Sequence, residues 1–323
     1  MKKNAILFAL VILLNSCQSS CSSSHSDISS GEKQETVVHV PLGDPFILFY
    51  DNVYYAYGTH SDSGIEVYTS GDLKKWKYQG LALNKTDSWG DKWFWAPEVY
   101  EHEGVFYMYY SANEHICVAK SNHPAGPFIQ EKEEPMIVDE KSIDNSLFID
   151  DDGTPYMFFV RFTDGNAIWV AELEKDLQTI KMETLHPCIH MSQTWEEVWP
   201  RVNEGPFVVK RNGIYYMTYS ANSFESQFYG IGCATATNIM GEWTKYEENP
   251  ILQKPGDLVG VGHSAMFVDE ENGLRIVFHA HKDKNNIHPR AMYISDVYFE
   301  KIDGIERMRI SSDYLTPALQ IGN

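Results

Sequence analysis

Residues 203–222 read NEGPFVVKRNGIYYMTYSAN. Phe207-Val208-Val209 and Ile214 to Ser220 are two runs of β-branched and aromatic residues, and Lys210-Arg211-Asn212-Gly213 between them carries the Asn-Gly pair of a tight hairpin turn. One charge does not suit a plain hairpin. Glu204 stands against Gly205-Pro206 at the mouth of an apolar strand, where a carboxylate is costly unless it is paired or used. Gly205 allows the backbone to come close to a neighbour there, and Pro206 opens the strand without needing a ladder donor.

The same plan recurs along the chain in GDPFILFYDNVYYAYGTH (43–60), APEVYEHEGVFYMYYSAN (96–113), IDNSLFIDDDGTPYMFFV (143–160) and GHSAMFVDEENGLRIVFHAH (262–281). Each segment has a polar or small cluster, a short apolar strand, a turn rich in Asp, Asn, Glu and Gly, and an aromatic-rich strand. A third strand follows each pair: GIEVYTS (64–70), HICVAKS (115–121), AIWVAEL (167–173), GIGCATA (230–236) and RAMYISD (290–296). Long helical periodicity is missing, so the chain reads as all-β. Five three- to four-stranded units at this spacing predict a five-bladed β-propeller in a single domain, residues 37–323. A two-sheet sandwich leaves the five similar units unexplained.

The first residues, MKKNAILFALVILLNSC, have a basic start, an apolar run too short to span a bilayer, and a small residue before Cys17. They resemble a bacterial lipoprotein leader. The resemblance implies a signal peptide over 1–16, lipid attachment at Cys17 and a Ser-rich tether over 17–36, which places the protein in the bacterial cell envelope, on the periplasmic side or at the outer-membrane surface. Formal net charge is -19, and no run of Lys or Arg appears, so nucleic acid is not an expected partner. A neutral substrate suits the chain better, and a monomer is expected. Cys117, Cys188 and Cys233 lie far apart without zinc-type spacing and read as buried free thiols.

In a propeller the first strand of each blade lies nearest the central channel. The residues at the mouths of the five first strands read Asp44, Glu98, Asp144, Glu204 and His263. Any one of these could simply cap a strand. Four acids and a histidine at repeat-related places point instead to a shared site. Converging carboxylates repel one another, which keeps one protonated beside an ionised partner, as glycoside hydrolysis requires.

The motifs Gly43-Asp44-Pro45-Phe46-Ile47, Trp95-Ala96-Pro97-Glu98-Val99, Ile143-Asp144-Asn145-Ser146-Leu147-Phe148, Glu204-Gly205-Pro206-Phe207 and Gly262-His263-Ser264 together resemble glycoside hydrolase family 43, five-bladed propeller enzymes that remove arabinose or xylose from plant polysaccharides. The resemblance implies that Asp44 is the general base, Glu204 the general acid, and Asp144 the carboxylate that orients the acid and tunes it. It implies inversion of anomeric configuration, for which acid and base stand about 6.5–9.5 Å apart. Glu98 is expected to support the site. Trp95, Arg290 and Phe46 are candidate sugar contacts. His263 resembles the family histidine that binds a central calcium ion or its waters; no cofactor is required for the chemistry itself. The segments 184–202 and 222–230 are expected to wall the site, with Trp195, Trp199, Phe224 and Gln227 as candidates. His279 and His281 read as ordinary blade histidines.

The expected activity is release of L-arabinofuranose or D-xylose from arabinan, arabinoxylan, xylan or their oligosaccharides. Two other readings stay open: an endo-acting arabinanase of the same family, and a non-catalytic propeller that captures sugars at the cell surface.

Overall fold

The computed structural model describes residues 37–198 and 201–321; the leader, Cys17, the tether and Trp199 lie outside the described residues. Blade I contains β1 (Gly43–Tyr50), β2 (Val53–Thr59), β3 (Gly64–Ser70) and β4 (Lys75–Asn84). Blade II contains β5 (Trp95–His102), β6 (Val105–Ala112) and β7 (His115–Ser121). Blade III contains β8 (Ser142–Ile149), β9 (Pro155–Phe162), β10 (Asn166–Glu172) and β11 (His186–Ile189). Blade IV contains β12 (Asn203–Arg211), β13 (Ile214–Ala221), β14 (Gly230–Ala236) and β15 (Thr244–Lys245). Blade V contains β16 (Gly262–Val268), β17 (Leu274–Ala280), β18 (Ala291–Ile302) and β19 (Ile305–Leu315). A final strand, β20 (Ala318–Leu319), pairs in parallel with the outer edge of blade I at β4. Among the described residues the only helices are three single 3₁₀ turns.

The first strands β1, β5, β8, β12 and β16 touch in that order and β16 returns to β1, so the five sheets form the closed ring of a propeller. Chain segments outside the blades help close it: Met292 N–H donates to Val40 C=O at 3.2 Å, and Leu319 N–H to Val38 C=O at 2.7 Å. The hairpins form as their turns dictate. At Asn212-Gly213 both residues take positive φ, 51° and 77°, the primed turn that matches strand twist, and Arg211 pairs directly with Ile214. The blades pack through large apolar side chains such as Trp76, Tyr57, Phe128 and Phe158. Cys117 and Cys233 are free and buried on third strands, as expected, whereas Cys188 is partly buried.

Every first strand carries the same irregularity. The register slips between Gly43 and Phe46, Trp95 and Glu98, Ile143 and Ser146, Glu204 and Phe207, and Gly262 and Ala265. The first residue inside each slip is left-handed: Asp44 (φ 46°), Ala96 (45°), Asp144 (55°), Gly205 (55°) and His263 (45°). Such a bulge re-aims one side chain out of the pleat, and here it does so five times around one axis. The structural equivalents are therefore Asp44, Ala96, Asp144, Gly205 and His263. Glu204 lies one residue before this position and Glu98 two after it, so the five-residue set read from the repeats is corrected at these two places.

Candidate active site

The bulges of blades I, III and V aim Asp44, Asp144 and His263 into one cavity of about 400 Å³, and Glu204 reaches it from the position just before the blade IV bulge. The volume falls within the usual range for small-ligand sites. Gly205 is needed beside Glu204 because its left-handed backbone (φ 55°) brings a Cβ at this place to 3.1 Å from the His263 ring.

Asp44 is surrounded by positive and polar partners. Arg290 grips it with two bonds, Nη1 to Oδ1 at 2.6 Å and Nη2 to Oδ2 at 3.0 Å. His263 Nδ1 lies 3.4 Å and His279 Nδ1 3.3 Å from Oδ1. Burial opposes a charge here, yet the Arg290 guanidinium, His263 and His279 outweigh it and hold Asp44 well below the usual carboxylate range. Burial lowers His263, and burial together with Arg290 lowers His279 to about 3. His279 Nδ1 accepts the Asp44 backbone N–H at 3.0 Å.

Glu204 has the opposite environment. Burial pushes it up to about 7, against hydrogen bonds from Tyr229 Oη at 2.8 Å to Oε1 and from Asn166 Nδ2 at 3.0 Å to Oε2; the Asp44 charge adds to the rise. Asp144 is buried, accepts Gly205 N–H at 3.3 Å, and is raised well above the usual range by burial, then by the Glu204 and Asp44 charges. Asp144 and Glu204 titrate as a pair. Burial and mutual repulsion keep a proton on this pair near neutrality while Asp44 stays ionised.

Glu98 is not part of this cluster. Two residues beyond the left-handed Ala96, the pleat turns its side chain into the packing between blades II and III. There it bonds Tyr100, Ser146 and the Leu147 N–H, and burial lifts it to about 8.

The candidate sugar contacts divide. Trp95, Phe224 and Arg290 line the cavity. Arg290 is committed to Asp44 and lies 4.9 Å over the Phe224 ring, so its charge serves the carboxylate first. Phe46 is corrected to a core residue: past the bulge it faces the ring interior, packing on Tyr100 at 5.4 Å and Phe207 at 6.5 Å. Gln227 is exposed and its amide bonds Lys284 C=O at 2.5 Å, tying two loops together away from the cavity lining. Trp195 packs on Tyr219 at 6.1 Å, where its segment folds around the fully buried Glu196, bonded to Lys245 Nζ at 2.6 Å.

Several residues that shape the site carry no sequence signal of their own. His279 and Tyr229 stack face to face, 5.6 Å between centroids and 16° between planes, behind Asp44 and Glu204. Asn166 is the first residue of β10, Phe162 the last of β9, and Glu114 lies in the turn between β6 and β7, all lining the cavity. Only the repeat register, with a model of the blade in hand, could single them out.

Among the described residues no group of three or more His, Cys, Asp or Glu side chains gathers as a metal cage. Asn145 and Ser264, each one residue beyond a left-handed bulge position, have buried side-chain polar atoms with no hydrogen-bond partner among the described residues. Such atoms call for water or an ion.

The chain matches known proteins along most of its length. The family model for Glycosyl hydrolases family 43 matches residues 34–304. A crystal structure of an endo-1,4-beta-xylanase from Bacteroides thetaiotaomicron is 48% identical, superposes with a TM-score of 0.84, and covers 88% of this chain and 100% of its own. The beta-D-galactofuranosidase xynD of Aspergillus niger is 29% identical over 263 residues, 73% of each chain. A xylosidase/arabinosidase of Butyrivibrio fibrisolvens is 31% identical over 257 residues, 72% of this chain but 46% of its own length. With the five-bladed ring and its axial carboxylates, a match of this extent places the chain in glycosyl hydrolases family 43, and the protein is a glycoside hydrolase.

Proposed function

We propose that the chain releases L-arabinofuranose or D-xylose from plant cell-wall glycans in a single inverting displacement. The observation that carries this reading is the opposed ionisation of two carboxyls facing one cavity: Asp44 held anionic by Arg290, Glu204 lifted to about 7 by burial. Asp44 takes a proton from a water molecule as its oxygen attacks the anomeric carbon. Glu204 gives its proton to the glycosidic oxygen as that bond breaks. Asp144, itself raised by burial and by the Glu204 charge, accepts the Gly205 N–H beside the acid and shares the buried pair's proton with it. The intact trio, with its tuning groups in place, weighs against a non-catalytic sugar binder.

The sugar is inferred from the relatives: one is named a xylosidase/arabinosidase and the 48% identical structure an endo-1,4-beta-xylanase. The latter supports a second reading, internal cleavage of xylan. Nitrophenyl α-L-arabinofuranoside, β-D-xyloside and β-D-galactofuranoside, with arabinan and xylan, form the substrate panel. Glu204→Gln and Asp44→Asn are expected to lose about a thousandfold or more in kcat/KM; wild-type rates in both would refute the assignment.

A calcium ion at the axis would be held through water by His263, and the unpartnered buried side chains of Asn145 and Ser264 are candidate oxygen donors to it or its waters. When bound, it would supply positive charge near the carboxylates. A chelator that leaves both rate and melting temperature unchanged would argue against it. Cys17 is the proposed lipid attachment site, which places the enzyme at the cell envelope; loss of membrane association in Cys17→Ala tests this.

A further inference from the structure

Tyr229 is not among the residues that line the cavity. It reaches Glu204 from behind, with its hydroxyl donating to Oε1 at 2.8 Å. The residue is fully buried, and its ring is fixed on both sides. One side is Gly262, where a Cβ would fall 2.1 Å from Tyr229 Cε1, so blade V meets this ring with bare backbone. The other is His279, stacked at 5.6 Å and itself bonded to the Asp44 backbone N–H. A continuous path therefore runs from Asp44 through His279 and Tyr229 to Glu204. We propose that Tyr229 is a positioning residue for the reaction, holding the Glu204 carboxyl in fixed relation to Asp44 and stabilising the carboxylate that Glu204 becomes when it gives up its proton. This rests on the reading of Glu204 as the general acid.

The logic follows from the donor set. Tyr229 and Asn166 each donate to one oxygen of Glu204, so each oxygen keeps its remaining lone-pair direction for the acidic proton. Burial beside Glu204 lifts the Tyr229 hydroxyl well above its usual range, so it stays a donor at any working pH. As the proton moves from Glu204 to the leaving oxygen, the bond from Tyr229 becomes charge-assisted and strengthens. Burial keeps Glu204 protonated at rest, and Tyr229 makes it a stronger acid in the transition state. The other charged or titratable groups facing Glu204 are Asp144, Asp44 and Arg290, with His263 and His279 beside Asp44.

The test is Tyr229→Phe, which removes only the hydroxyl. Without the donor Glu204 becomes a weaker acid, so the alkaline limb of the kcat/KM–pH profile is expected to move up by roughly one pH unit. Hydrolysis of a nitrophenyl glycoside is expected to slow about tenfold, while a dinitrophenyl glycoside, whose leaving group needs little protonation, should lose less than about threefold. An unmoved alkaline limb, or equal losses on both substrates, would overturn the proposal and reduce Tyr229 to packing. If Tyr229→Phe folds poorly, His279→Asn serves instead: it keeps an acceptor for Asp44 N–H but removes the stacked ring, and should move the alkaline limb in the same direction. Glu204→Gln run alongside separates the two layers. If it stays active, the acid is misassigned; if it is inactive while Tyr229→Phe shows no shift, only the positioning role fails.

Discussion

Replacing Arg290 by Met tests the ionisation of the proposed base. The guanidinium and carboxylate are both largely buried and joined by two bonds of 2.6 and 3.0 Å. Breaking a buried pair from one side costs about 3–5 kcal/mol, because the remaining charge is left without compensation. Asp44 also faces the cavity and keeps His263 and His279, so the lower end, about 3 kcal/mol, is expected. That is equivalent to roughly two pH units of upward movement in the acidic limb of kcat/KM. It also corresponds to a drop in melting temperature of about 6 °C at neutral pH. The sign with pH follows from linkage. Asp44 is depressed in the folded state, so its contribution is fully present above the unfolded carboxylate value and is lost as pH falls through the folded value. The melting deficit of Arg290→Met should therefore be largest at neutral pH and shrink in acid. Arg290→Lys, which keeps charge but not the fork, should fall between. The measurements are kcat/KM across pH and thermal unfolding at neutral and acidic pH. An acidic limb that does not move in Arg290→Met would refute the claim that this arginine keeps Asp44 ionised.

Glu98→Gln is expected to leave the pH–rate profile unchanged, because Glu98 is lifted to about 8 and lies in blade packing; its cost should appear as about 1 kcal/mol of stability in thermal unfolding. Trp95→Ala removes a cavity wall that the stacked Trp93 ring, 5.7 Å away, supports from outside; KM on the nitrophenyl glycosides should rise about tenfold with kcat largely kept. His279, neutral with a value near 3, destabilises the fold as pH drops below the free imidazole range, adding about 1.4 kcal/mol of lost stability per pH unit down to its folded value; acid titration of the unfolding free energy measures it.

The blade plan was legible in the sequence because two-period alternation and Asn-Gly or Asp-Gly turns are local signals. The third strands at 64–70, 115–121 and 230–236 coincide with β3, β7 and β14. The short outer strands β11, β15 and β20 were not legible, since two to four residues at a sheet edge carry no periodicity. At the axis, Asp44, Asp144 and His263 were found through repeat position. Glu98 was misplaced because matching by residue type skipped the left-handed bulge, which sets where each side chain points. Phe46 went the same way, two residues past Asp44 and inside the ring. Tyr229 and His279 lie on different blades, 50 residues apart, and only the folded ring brings their faces together.

Anomeric configuration of the first product tests the central claim most directly. Proton NMR during hydrolysis of an α-L-arabinofuranoside or β-D-xyloside by the wild-type enzyme reports it before mutarotation. One displacement by water, with Asp44 as base and Glu204 as acid, yields the inverted anomer first. Initial accumulation of the retained anomer would contradict the account, because it requires a carboxylate to act as nucleophile.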